Sequence, residues 1–268
     1  MTAARRLLFA AGVLVLCAWV LVPIYLVALG AFGGRLAVFQ WPKSFLPTDS
    51  SLAAFGAFLR IEGVWHAALN SAIAAGLTMV FSIALGAPAG YALARFTFRG
   101  QNAFRLLVLL TRAFPLAILA LPLAVLFIRV GLYDTPLGVS LVHTALALPF
   151  AALVTSSLFM GIPRELEEAA WVFGCSRWQA FRKVVVPLAL PGLAAAAIFA
   201  FVISWNEVFA ASILTVRERT LTAYLLTVLS ESPLHFRIAG GFLLIVPSVV
   251  FIFAVRRYLF AMWGIANR

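Results

Sequence analysis

Long uncharged apolar runs alternate along this chain with short stretches in which Arg, Glu and Pro gather. A helix crosses the hydrocarbon of a bilayer with about 20 apolar residues, and it satisfies its own backbone groups while doing so. Six runs approach or exceed that length, at residues 7–32, 67–93, 106–128, 137–160, 184–203 and 238–255. The pattern predicts an all-α, polytopic membrane protein with six transmembrane helices. Pro115 and Pro122 in the third run, Pro187 and Pro191 in the fifth and Pro247 in the sixth predict kinks or breaks, because each removes a helix donor. The first run follows Arg5 and Arg6 as a signal peptide would. It is longer than a signal core and no A-x-A site ends it, so a retained span is expected. Between the runs, Trp41-Pro42-Lys43 and Leu46-Pro47-Thr48-Asp49 are turn signals, and residues 52–59 predict a short interfacial helix.

Composition removes the soluble alternative. Hydrophobic residues make up 64% of the chain and charged residues 11%, against roughly a quarter charged in soluble domains. Mean hydropathy is +1.07. The net charge of +11 does not point to nucleic acid, because the bases sit at the ends of apolar runs. There is no basic arm and no basic-aromatic patch. Their distribution orients the chain instead. One side would carry Arg5, Arg6, Arg95, Arg99, Arg105, Arg164, Arg177, Arg182, Lys183, Arg256, Arg257 and Arg268, with Glu165, Glu167 and Glu168. The other would carry Arg35, Lys43, Arg60, Arg129, Arg217, Arg219 and Arg237, with Asp49, Glu62, Asp134, Glu207, Glu218 and Glu231. The more basic side is expected to be cytoplasmic, and with it both termini. Cys17 and Cys175 fall in unlike segments and His66, His143 and His235 are scattered, so no disulfide, metal site or catalytic constellation is expected.

The most polar segment lies between the fourth and fifth runs, at 161–187. Pro163 can occupy the first turn of a helix. Glu165, Glu167 and Glu168 then sit near its positive end, and Gly174 fits a left-handed C-cap. A helix over about 164–173 is predicted. Ser176 with Gln179 forms a capping box for a second helix, and Arg182 and Lys183 would anchor the start of the fifth span at the lipid headgroups. The product is a helix–turn–helix with Trp171, Phe173, Trp178 and Phe181 as apolar anchors. Local physics leaves two readings, a handle gripped by a soluble partner or an amphipathic helix lying on the membrane.

Glu168-Ala169-Ala170-x3-Gly174-x9-Val184-x-Val186-Pro187 resembles the EAA loop of ABC-importer permeases, E-A-A-x3-G-x9-I-x-L-P, with Val184 and Val186 as conservative departures. Asn70-Ser71, Gly90-Tyr91-Ala92-Leu93-Ala94-Arg95, Phe114-Pro115, Pro122-Leu123, Pro191-Gly192 and Ser204-Trp205-Asn206-Glu207 extend the likeness over nearly all of the chain from the second span onward. Together they look like the second permease subunit of carbohydrate importers of the maltose and glycerol-3-phosphate type. The resemblance implies a single transmembrane domain over 1–268 in the bacterial inner membrane. Its cytoplasmic coupling helix, between the fourth and fifth spans, would dock on an ATPase through Glu168, Ala169, Ala170 and Gly174, with Pro187 closing the motif. It also implies a second permease, a dimer of ATPase subunits that binds the ATP, and a periplasmic or lipid-anchored solute-binding protein. This chain has no Gly-x4-Gly-Lys-Ser/Thr loop, and no cofactor of its own is expected. The implied solute is a sugar, oligosaccharide, polyol or glycerol-phosphate ester.

Three other readings are weighed against this one. A permease of the same class for a non-carbohydrate solute shares the loop. A secondary carrier calls for intramembrane carboxylates, and the six runs contain no Asp or Glu. A membrane enzyme calls for a catalytic constellation. Candidates for the solute pathway are Arg112, Tyr91, His143, Trp205 and Asn206. Each has a plainer reading: Arg112 as a helix-end or snorkelling cation, His143 as a packed histidine, Tyr91 as a core or lipid-facing ring, and Trp205-Asn206 as an interfacial anchor. The loop over 208–237 corresponds to one that reaches toward the binding protein in the maltose-type family.

Overall fold

The computed structural model describes residues 3–33, 39–42, 46 and 52–262. Arg35, Lys43, Asp49 and Arg268, and the turn expected at Pro47-Thr48-Asp49, lie outside the described residues. The helices in chain order are α1 Ala3–Phe32, α2 Ala53–Leu59, α3 Val64–Arg95, α4 Gln101–Leu110, α5 Leu116–Arg129 and α6 Pro136–Met160. They continue with α7 Glu165–Val172, α8 Arg177–Ala180, α9 Val186–Asn206, α10 Phe209–Leu214, α11 Leu221–Thr227 and α12 Leu234–Met262.

Among the described residues, five segments are long and apolar enough to cross a bilayer: Ala4–Phe32, Val64–Arg95, Pro136–Met160, Arg177–Asn206 and Leu234–Phe251. The third expected span, 106–128, is not one helix. α4 with the 3-10 turn Thr111–Ala113 is bent by 85° from α5. The cause is local. Pro115 disfavours helical geometry at the residue before it, and Phe114 is accordingly extended, at φ −70° and ψ 120°. The fifth span also begins earlier than residue 184, because α8, a π turn at Phe181–Val185 and α9 run on continuously. Pro187 has no N–H to give, and the wide turn just ahead of it accommodates that loss. Pro122, Pro191 and Pro247 lie inside helices that continue through them.

The chain divides into two compact units, residues 1–65 with 225–246 and residues 66–224 with 247–268. In the first, Phe32, Phe55 and Phe242 form an aromatic trio with centroids 4.9 to 6.3 Å apart, and Phe58 and Val64 are fully buried. The second unit is built on α6, against which α3 and α9 lie. Phe150 of α6 stacks on Phe199 of α9 at 3.7 Å, and Gly192 of α9 leaves room for Leu158. Gly86 and Gly90 of α3 sit against Ala151, Ala152 and Thr155 of α6. Small residues at a helix crossing in lipid let the backbones approach closely. The Thr155 hydroxyl exploits the approach, donating to the carbonyl of Gly86 at 2.9 Å.

A Cβ on Gly90 would fall 2.8 Å from the Ala152 carbonyl oxygen and against the Thr155 side chain. Overpacking of this kind costs about 1–3 kcal/mol. Gly90→Val is therefore expected to lower the thermal midpoint of the detergent-solubilised protein by several degrees, as read by fluorescence-detected gel filtration. An unchanged midpoint would contradict the α3–α6 crossing.

Candidate functional site

The polar segment between α6 and α9 folds as its local chemistry predicts. Glu165, Glu167 and Glu168 occupy the first turn of α7. Gly174 takes φ +84°, and around it Cys175 N–H donates to Ala170 O at 3.0 Å and Gly174 N–H to Trp171 O at 2.9 Å. That pair of bonds is a Schellman ending. The capping box is formed in both directions: Gln179 N–H donates to Ser176 Oγ at 3.2 Å, and Ser176 N–H to Gln179 Oε1 at 2.8 Å. Pro163 stands ahead of the N-cap Arg164 rather than inside the first turn.

The faces of this handle differ from expectation in three places. Glu168, Ala169, Val172, Phe173 and Trp178 are exposed, but Ala170 is buried against the protein and cannot serve an outward contact. Phe181, expected among the anchors, belongs to the core with Phe159, Val185, Ala189 and Leu193. Helical spacing explains this, since Phe181 lies in the continuous segment that becomes α9. The residue missed in the sequence is Glu167, which is 3% exposed. Arg95 Nε donates to its Oε1 and the Tyr91 hydroxyl to its Oε2, each at 2.5 Å. The signal was available: Glu167 lies three residues before Ala170, so one face of α7 carries both inward.

Tyr91 is therefore occupied at the handle, with its ring 4.6 Å from that of Phe181 and 5.7 Å from that of Phe159. The end of α3 is tied down by side-chain donors. Gln101 and Arg105 donate to Leu93 O at 2.6 and 3.0 Å, and Arg164 donates to Arg95 O at 3.3 Å. A cavity of about 320 Å³ opens beside α7, lined by Arg95, Phe96, Arg164, Glu168, Trp171 and Arg177. Arg177 lies over the Trp171 ring at 5.6 Å.

At the opposite end of α3 and α6 the acids outside the spans organise the chain. The two oxygens of Glu207 accept from the N–H groups of Phe209, Ala210 and Ala211 at 2.9, 3.0 and 3.2 Å, capping α10. His143, fully buried, is hydrogen-bonded through Nε2 to Glu207 at 3.0 Å and through Nδ1 to Ser204 Oγ at 2.7 Å. Burial pushes the Glu207 carboxyl up, but the His143 bond and attraction and the Ala210 and Ala211 amides outweigh it and hold the carboxyl below its ordinary value. Asp134, at φ +57°, accepts at Oδ1 from the N–H groups of Val216, Arg217 and Glu218 at 2.7, 2.9 and 2.9 Å. Glu218 in turn accepts from Asn70 at 3.0 Å and is hydrogen-bonded to His66 at 2.7 Å, while Leu221 N–H donates to Ser71 Oγ at 2.8 Å.

Residues 207–224 therefore fold back on the second unit, with α10 packed among Phe127, Val139 and Val142. The pathway candidates separate accordingly. His143 has both ring nitrogens engaged, and Trp205 is 5% exposed with its ring stacked on Phe201. Neither stands open at a mouth: Ser204 and Glu207 meet His143, and Phe201 lies against Trp205. Asn206 is exposed and donates to Val202 O at 2.8 Å. Arg112 is exposed in the 3-10 turn before the Phe114–Pro115 break, so it is not in the middle of a straight span. The structure does not bring the five candidates together.

Residues 82–261 match the family described as binding-protein-dependent transport system inner membrane component, and the chain belongs to it. It is a multi-pass protein of the inner membrane. The trehalose transport system permease protein SugB of Mycobacterium tuberculosis is 37% identical, over 74% of this chain and 75% of its own length. The arabinooligosaccharides transport system permease protein AraQ of Halalkalibacterium halodurans is 36% identical, over 72% of this chain and 70% of its own. Among solved structures, a bacterial ABC transporter that imports the acidic polysaccharide alginate has a chain with the same fold, at TM-score 0.75 and 22% identity, covering 95% of this chain and 97% of that one.

Partial burial works against the charged form of Asp134, but three backbone amides and the nearby Arg217 charge outweigh it and lower its pKa. A carboxyl whose folded pKa is depressed stabilises above its unfolded value, about 3.9, and loses that contribution as pH falls through the folded value. Asp134→Asn is expected to cost about 1–2 kcal/mol near neutral pH, allowing for the site's partial exposure. The gap in thermal midpoint between wild type and variant should close on acidification below pH about 4. A gap independent of pH would show that the charge is not what the loop binds.

Proposed function

We propose that this chain is a permease subunit of an ATP-driven importer of carbohydrate, forming the translocation pathway with a second permease. Family membership over residues 82–261 and the names of relatives that carry trehalose and arabinooligosaccharides support the solute class. The observation that carries the coupling role is the handle. It presents Glu168, Ala169, Val172 and Phe173 outward on a helix held by a left-handed glycine and a complete capping box. In this reading the chain forms one transmembrane domain, with the handle and both termini in the cytoplasm, as the excess of Arg and Lys at that side favours. A pair of ATPase subunits binds the ATP and grips α7, and a solute-binding protein delivers the cargo to the other side. The chain itself catalyses no reaction and holds no cofactor.

ATP-driven closure of the ATPases would push on α7 and swing the spans between inward-open and outward-open states. The solute would cross between the two permeases, so the burial of His143 and Trp205 within this subunit poses no obstacle. Arg112, at the bend, and Asn206, exposed at the end of α9, remain the pathway candidates with free surface.

Gly174 tests this reading because the space around it is open. A Cβ there meets nothing within 4 Å in this chain, and although its φ of +84° strains any side chain, Asp enters left-handed geometry more readily than most residues. Any side chain would project into the partner. Gly174→Asp is expected to insert at wild-type level while uptake by the assembled transporter in proteoliposomes falls about tenfold or more, a loss of about 1.4 kcal/mol in coupling. Wild-type uptake by this variant would overturn the docking role.

A further inference from the structure

Glu167 is the one acid of the handle that faces inward, and both of its oxygens are taken by α3, one by Arg95 and one by Tyr91. The Arg95 side chain is 8% exposed and also donates through Nη2 to Ile162 O at 2.9 Å. That carbonyl lies in the link between α6 and α7, where a loose handle would pivot. One guanidinium thus holds both the handle and its hinge. Lysine offers a single point of charge and could not bridge the two in this geometry. At the far end of the same 32-residue helix, Asn70 and His66 meet Glu218 and Ser71 meets the Leu221 N–H. An uninterrupted helix of that length spans about 48 Å.

Resting on the permease reading above, we propose that Arg95 and Glu167 are positioning residues that join α7 to α3, so that a push on the handle travels along α3 to residues 216–221. Tyr91 supports the pair by holding the second carboxylate oxygen. The aromatic packing of Tyr91, Phe159 and Phe181 keeps α3 near α8 and α9 without the ion pair, and α7 also lies against α8 and the π turn at Phe181–Val185. Without the pair the handle would remain folded through its own caps and stay beside α8, but it would lose its buried polar link to α3.

The test places a bimane fluorophore at Val216→Cys, an exposed position at the far end, in a chain carrying Cys17→Ser and Cys175→Ser. The full transporter with its ATPases is reconstituted, and the probe is a non-hydrolysable ATP analogue. With Arg95 and Glu167 intact, nucleotide is expected to shift the emission. Glu167→Gln, which keeps the shape and removes the charge, should still co-purify with the ATPases and bind the analogue, while the shift falls about fivefold or more. Arg95→Lys should fall similarly, although it keeps the charge, because it cannot reach Ile162 O as well. A full shift in Glu167→Gln overturns the proposal, as does a Glu167→Gln chain that no longer inserts or assembles, since that marks a folding role only. Failure of the unsubstituted chain to associate with an ATPase would instead defeat the permease reading, and the clamp with it.

Discussion

A carboxylate held almost out of water must be matched by its surroundings, and Glu167 is matched entirely by α3. Removing one partner of such a buried pair leaves an uncompensated charge, at a cost of about 3–5 kcal/mol. This is what turns a short helix at the membrane face into part of the body that crosses the membrane. The caps of α7 shape the handle, and the Arg95–Glu167 pair, the Tyr91 bond to Glu167, the Arg95 bond to Ile162 O and the Arg164 bonds to Ala94 and Arg95 attach it to the end of α3. Ala170 beneath it and the exposed Phe173 at its tip follow from that attachment.

The end of the second unit away from the handle obeys the same rule with different chemistry. There the acids receive backbone N–H groups rather than a guanidinium. Asp134, in the link between α5 and α6, gathers the amides of residues 216–218 and so returns the chain after α9, while Glu207 gathers three local amides that start α10. His143 could be buried inside a span only because Ser204 and Glu207 meet both of its nitrogens. Polar groups in this unit therefore mark places where one segment is fastened to another.

How much of this was legible in the sequence depended on how local the cause was. Apolar length located α1, α3 and α6 to within four residues at each end, and Gly174, Ser176 and Gln179 declared the handle, because caps and turns depend on neighbours in the chain. Pro115 announced a break, but the 85° turn depends on what Phe114 and the following helix do in three dimensions. The fold-back of 207–224 was illegible. α10 has only 6 residues, and the partners of Glu207 and Asp134 lie as far as 84 positions away in the chain. For the same reason Trp205 looked like an interfacial anchor and Tyr91 like a pathway ring. The acids of the handle were recognised, but which of them turns inward is decided by Arg95, 72 residues away.

The central claim, that the handle and α3 move together, is tested most directly by a distance. Spin labels at Leu85 on α3 and Val172 on α7 occupy exposed positions of one unit, and pulsed electron resonance can measure their separation in the assembled transporter with and without a non-hydrolysable ATP analogue. The account predicts one unchanged distance distribution in both states, while the distance from either label to the opposing ATPase changes. A nucleotide-dependent shift of several ångströms between the two labels would contradict it.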